Sequence, residues 1–266
     1  MGYTLRIIQD GAQTAEFNMT ADRLLLDCAG EGDTIFLRTY SWISPTISLG
    51  CMQRPELLLD FAAMAKHKVS WITRPTGGRA VLHWDDLTYS CAFPTSAAGM
   101  GRSIAESYAV ISRCLAAGLL HAGIATETHD SPAEHAAASR NLRLPCFCSP
   151  SRSELMVAGK KLVGSAQKRT GQAVLQHGSI PIRNHFRLLG DFMKTSADER
   201  ASLRAMLEKK CICVGEIVPE IDRVSFLRSS RETLSRRIIE GFVDTLHFPA
   251  CVSGWTEQEL CHLSGS

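Results

Sequence analysis

The chain has 266 residues, of which 45% are hydrophobic and 21% charged; 29 Lys+Arg against 27 Asp+Glu leave a formal charge of +2. This composition excludes a disordered, collagenous or coiled-coil protein, and the balanced charge offers no global attraction for nucleic acid. No apolar run approaches 18 residues, so no membrane span is expected.

The N-terminus meets charge at Arg6 and lacks a signal-peptide core. Arg6 also stands where a myristoylation site wants Ser or Thr. The expectation is a cytoplasmic protein whose ten cysteines are thiols, most of them small buried hydrophobes. Thr34–Tyr40 and Thr46–Leu49 read as strands split by a turn at Pro45, and Trp71–Arg74 and Leu87–Phe93 as two more. Ser103 and Glu106 have capping-box spacing, followed by Ile104, Tyr108, Ile111, Leu115 and Leu119 at helical spacing and by Gly123 as a terminator. Leu155–Val163 reads as a hairpin turning at Ala158-Gly159, and Ala173–His177 as the next strand after a turn at Gly171. In the last 70 residues, Ser196/Glu199, Ser229/Glu232 and Thr256/Glu259 each have capping-box spacing, and Leu234, Ile238, Ile239, Phe242 and Leu246 share one helix face. The pattern is mixed α/β. No linker or repeat divides it, so a single domain over 1–266 is expected, with a helical segment from about 196. That segment is either a small appendage or a set of helices packed on the sheet.

Three stretches carry possible chemistry. In Arg74-Pro-Thr-Gly-Gly-Arg-Ala-Val-Leu-His83, Gly77 and Gly78 let the backbone approach a ligand, and Arg74 and Arg79 supply fixed charge suited to phosphate or carboxylate. A tight turn with two exposed arginines is the plainer alternative. Leu144-Pro-Cys146-Phe-Cys148-Ser-Pro150-Ser151 has loop composition, where a thiol near a cation becomes a nucleophile. Packing is the commoner fate of any one cysteine. Cys146/Cys148 and Cys211/Cys213 are also two Cys-x-Cys pairs, but structural zinc prefers longer spacings, so no metal is expected. Third, Gly159-Lys-Lys161-Leu-Val-Gly164-Ser-Ala-Gln167 precedes Gln176-His177-Gly178-Ser-Ile180. Small residues on a strand suit a ligand lying against the backbone. Lys160 and Lys161 point to opposite faces, so one can face a site. A charged hairpin, with His177 half-buried and bonded to backbone, is the alternative.

Taken in order, these motifs resemble the biotin/lipoate protein ligase and lipoyl-octanoyl transferase superfamily, and within it the cysteine-dependent octanoyltransferase branch of the LipM type. The likeness runs from Asn18-Met19 and Asp22, through Ser48-Leu-Gly50, to Gly254-Trp-Thr-Glu-Gln-Glu-Leu260. It implies a mixed β-sheet flanked by helices. It also implies an acyl or lipoyl pocket at Arg74, Gly77, Gly78, Arg79, His83, Gly164, Ser165, Ala166, Gln167, His177 and Gly178. The family nucleophile falls on Cys146 and the family lysine on Lys161. The implied reaction moves octanoyl from acyl carrier protein, through a Cys146 thioester, to a lysine of a lipoyl domain or glycine-cleavage H protein, without ATP or metal. An amidotransferase between lipoyl domains would need the same pair. An ATP- and Mg-dependent lipoate–protein ligase is the other alternative, although Arg79 stands where ligases usually have a third Gly. Trp84 stands where the family has an acidic residue, and Arg23 where Glu is usual.

Overall fold

The computed structural model describes residues 2–129, 154–218 and 220–264, with the backbone alone for 129 and 220–229. Strand β1 (Thr4–Gln13) leads into helix α1 (Ala15–Glu31), whose N-cap Thr14 accepts from Phe17 N at 3.1 Å. Then come β2 (Thr34–Trp42), β3 (Thr46–Leu49), α2 (Pro55–Leu58), α3 (Phe61–Lys66), β4 (Ser70–Thr73), β5 (Val81–His83) and β6 (Asp86–Pro94). Helix α4 (Ile104–His121) starts on the expected Ser103/Glu106 capping box, and Gly123 follows its end at φ +78°. Past β7 (Glu127–His129), β8 (Glu154–Val157) and β9 (Lys160–Lys161) form the expected hairpin, followed by β10 (Gly164–Arg169) and β11 (Ala173–Pro181).

Six strands form the main sheet in the order β10-β11-β6-β2-β1-β12, where β12 is Ala250–Val252. β1 runs parallel to both β2 and β12, while β2, β6, β11 and β10 alternate in direction. The sheet is therefore mixed, and β2, β6 and β11 are buried on both faces. In β2, Ile35 and Leu37 face one core and Phe36 the other, the period of two that pleating imposes. The larger core lies between the sheet and α4; the smaller lies under Leu25, Leu26 and Ala29 of α1. A three-stranded sheet β4-β3-β5 packs its own core with α3 and a 3₁₀ segment, Asn184–Phe192.

The C-terminal helices are not an appendage. Helix α5 (Ala197–Lys210) starts on the Ser196/Glu199 box. A short α6 (Val214–Ile217) follows, and α7 (Glu220–Leu246) then lies along α4, burying Leu234, Ile238 and Phe242 in the larger core. Ser229 is inside α7 and not at its start: Ser-x-x-Glu spacing marks an N-terminus only where the chain before it leaves helical geometry. Helix α8 (Glu257–Ser264) does start on the Thr256/Glu259 box, with Thr256 N donating to Glu259 at 2.7 Å. Arg6 of β1 holds this end down, donating to both Glu259 oxygens, Ser253 Oγ and Gly254 O. No helix among the described residues is long and apolar enough to cross a membrane.

Candidate active site

The Arg74–Arg79 loop is folded around Arg74. Its buried guanidinium donates to the carbonyls of Ser48, Gly77 and Arg79 at 2.8–3.0 Å and to Thr76 Oγ1 at 3.1 Å. The charge that the sequence offers to an anion is thus committed to the loop itself, and Arg79 is buried as well. The turn with two exposed arginines does not occur. Gly78 sits at φ +94°, and its carbonyl approaches Gly50 so closely that a Cβ there would lie 2.2 Å away. Loop and β3 end can meet only because position 50 has no side chain.

Two buried histidines flank a pocket. His83 Nδ1 faces Asp86 Oδ2 at 2.7 Å, its Nε2 faces Ser48 Oγ at 2.9 Å, and the ring stacks on Trp42 with centroids 4.2 Å apart. The carboxylate on this histidine comes from Asp86, three residues on and across the β5–β6 turn, rather than from position 84. Asp86 also accepts from Ser179 Oγ. His177 is fully buried and bonded to side chains, not to backbone: Nδ1 to Asp22 at 2.7 Å and Nε2 to Thr76 Oγ1 at 2.7 Å. Burial pushes His177 below the ordinary histidine range, with Asp22 pulling the other way. Burial also opposes ionisation of Asp22, but the hydrogen bond from His177 and the Arg38 charge outweigh it and hold Asp22 low. A neutral His177 therefore donates through Nδ1 and accepts the Thr76 hydroxyl at Nε2. Arg38 extends the network, donating to Asp10, Asp22 and Asn18 while it lies over the Tyr40 ring.

The pocket encloses about 350 Å³ of space, its open mouth included, and its wall is mostly apolar. Gly164, Ser165 and Ala166 of β10 form one side, His177, Gly178 and Ser179 of β11 the next, and Met19, Trp42, Arg74 and His83 close it. Ser165 Oγ pairs with the Tyr89 hydroxyl at 2.7 Å. A Cβ on Gly178 would press within 2.6 Å of Gly164 O. β10 edges the sheet, so alternate N–H groups on it point away from β11. Gln167 reaches across to its strand partner Gln176 at 3.0 Å, and Gly77, Gly78 and Arg79 shape the loop without being part of the pocket wall.

Three residues before Gly164, Lys161 is 3% exposed and forms an ion pair with Glu154, which is 5% exposed. Lys160 turns the other way, its Nζ donating to Glu208 O at 3.0 Å. Cys146 and Cys148 lie outside the described residues. Of the eight described cysteines, four are buried, three exposed and Cys28 lies between. Burial pushes Cys114 and Cys213 up to about 12 and Cys91 well above its ordinary value, so none of these serves as a thiolate near neutrality. Cys213 instead donates to Glu216 at 3.2 Å. No His/Cys/Asp/Glu cluster suited to a metal occurs among the described residues.

Arg38, Trp42, Asp86 and Glu154 carry no motif signal and are site residues only through tertiary contact. Asn18, Asp22 and Ser48 stood in the sequence as part of the resemblance, without a role.

Comparison with known proteins finds relatives and a shared fold over most of the chain. An octanoyltransferase LipM of Kyrpidia tusciae is 35% identical over 249 residues, 91% of this chain and 87% of its own. One from Geobacillus kaustophilus is 36% identical over 218 residues, 80% of this chain and 78% of its own. Among solved structures, a lipoate-protein ligase A bound with ATP superposes with TM-score 0.76 at 20% identity, covering 99% of this chain and 93% of its own. A bi-partite lipoate protein ligase from Thermoplasma acidophilum, solved with its E2 lipoyl domain, gives 0.77 at 18%, covering 99% and 91%. Identities this low show the shared fold alone. The family model for the lipoyl protein ligase A/B catalytic domain matches residues 14–234, and with relatives of this identity over most of its length the chain belongs to that family.

Proposed function

We propose that the chain is a protein octanoyltransferase of lipoate biosynthesis, working through a covalent acyl-enzyme. The observation that carries this reading is the narrow, mostly apolar pocket walled by the small residues Gly164, Ser165 and Ala166, three residues along the chain from the buried cation Lys161. An aliphatic chain suits such a wall. The relatives named octanoyltransferase LipM support the choice of acyl group.

In this reading the Cys146 thiolate, held ionised by the Lys161 ammonium, attacks the carbonyl carbon of an octanoyl thioester on acyl carrier protein. N–H groups of β10 that point away from β11 receive the developing oxyanion. The carrier leaves as its thiolate, and the octanoyl group stays on Cys146 as a thioester. The amine of an acceptor lysine, on a lipoyl domain or glycine-cleavage H protein, then attacks. Cys146 leaves as a thiolate, the amine loses its proton, and an amide remains. The scheme is ping-pong and uses neither ATP nor metal.

Incubation with octanoyl-acyl carrier protein is expected to add one octanoyl mass to the protein. Hydroxylamine should remove it, and Cys146→Ser should abolish both the adduct and transfer to a lipoyl domain. Wild-type transfer by Cys146→Ser, or pyrophosphate release from ATP with free octanoate, would overturn the scheme.

A further inference from the structure

The lysine that the proposed reaction needs as a cation is almost wholly removed from water. Lys161 is 3% exposed. Desolvation favours the neutral amine, and a neutral Lys161 can neither hold a thiolate nor offer three donors. Something must keep the proton on Nζ and fix where it points.

The fold places a carboxylate to do so. Glu154 opens β8 and Lys161 ends β9, and the tight Ala158-Gly159 turn with its Met156↔Lys161 pairing brings them together. Both side chains are buried, and Glu154 accepts from Lys161 Nζ. The backbone is anchored from the opposite side, where Ile212 N donates to Lys161 O at 3.0 Å and Cys211 bridges to Lys161. Helix α5, packed against β9, reaches this hairpin through Glu208, whose carbonyl oxygen accepts from Lys160. Glu154 from β8, Cys211 behind α5 and Glu208 on α5 are the described titratable residues with a contact to Lys160 or Lys161. Of these, the carboxylate bonded to Nζ is that of Glu154.

We propose that Glu154 is a positioning residue of the transfer reaction, which keeps Lys161 charged and aimed inside the protein. The proposal rests on the reading of Lys161 as the reaction's lysine. It also accounts for a charge balance that lysine alone leaves open. A lone buried cation is costly, whereas a Lys161–Glu154 pair is neutral until the thiolate forms and can then share its donors with the sulfur.

The test uses the full chain without substrate, so that it stands apart from the transfer assay. The Lys161 ammonium resonance is observed in ¹⁵N-lysine-labelled protein and assigned by its loss in Lys161→Arg. In the wild type it should remain an ammonium throughout pH 6–9. In Glu154→Gln the midpoint of its titration should fall by a pH unit or more. In Glu154→Asp it should stay charged while kcat for octanoyl transfer drops several-fold through displacement. With octanoyl-acyl carrier protein, Glu154→Gln should lose tenfold or more in kcat with little change in KM. An unmoved Lys161 midpoint in Glu154→Gln overturns the proposal. If Glu154→Gln does not fold, loss of the Lys161 charge in Glu154→Asp overturns it. A moved midpoint in a protein that transfers no octanoyl upholds Glu154's hold on Lys161 and rejects the reaction instead.

Discussion

At His177 a short sequence motif and a buried charge network meet. The Gln-His-Gly-Ser run marks the residue as worth attention, yet its role comes from Asp22 on α1 and Thr76 in the glycine loop, 155 and 101 positions away. Because burial lowers its pKa in the fold, His177 takes up its proton more readily in the unfolded chain. Stability linked to it is therefore complete above the unfolded pKa of about 6.5 and is lost as pH falls through the lower folded value. The expected result is that wild-type stability, followed by urea unfolding, declines as pH falls below about 6.5 more steeply than that of His177→Gln. Equal slopes would show that His177 is not the group titrating there. Arg74 teaches the same lesson with opposite sign. Its spacing beside two glycines suits an anion site, but acceptors of its own loop and of Ser48 take its donors. A one-dimensional pattern shows that a cation is present, and not which acceptor wins it.

Among the elements, α4, α5 and the β8–β9 hairpin were legible because their signals are local: a capping box, a stripe at helical spacing, a two-residue turn. Helix α1 was not, because its inward face carries Asn18 and Asp22 among the apolar residues and so breaks the stripe. The α7 start was misplaced for the complementary reason, a local cap signal falling inside a longer helix. What joins α4 to α7 is a pair of glycines. A Cβ on Gly241 would lie 2.2 Å from Gly118 N, and one on Gly118 would lie 2.6 Å from Ile238 Cα. Gly241→Ala gains roughly 1 kcal/mol of helix propensity, but the contact is with backbone and cannot yield cheaply. Overpacking of ~1–3 kcal/mol or more should win, lowering the melting temperature by several degrees at about 2–4 °C per kcal/mol. A raised melting temperature would mean that the helices can part without cost.

Over the whole molecule, the C-terminal stretch closes the sheet and steadies the site from behind. β12 adds to the edge of β1, Arg6 clamps Glu259, and Trp255 Nε1 donates to Asp10 at 3.0 Å. Asp10 in turn accepts from Arg38, Arg38 donates to Asp22, and Asp22 carries His177 beside the pocket. Deletion of residues 250–266 is expected to lower the urea midpoint, since it strips β1 of a neighbour and leaves Arg6 and Asp10 short of partners. An unchanged midpoint would show this end to be a passive tail.

The sequence by itself determined the mixed α/β class, the helices with complete local signals, and the set of motifs whose joint occurrence resembles one superfamily. Those properties depend on neighbours a few residues apart and on residue order, which the chain carries in one dimension. Only the tertiary structure decided that Arg74 folds its own loop, that Asp86 and not position 84 serves His83, that His177 leans on Asp22, and that Glu154 shares its burial with Lys161. Each is a competition among polar groups for partners in a space without water. Its outcome depends on which groups the fold brings within about 3 Å of one another.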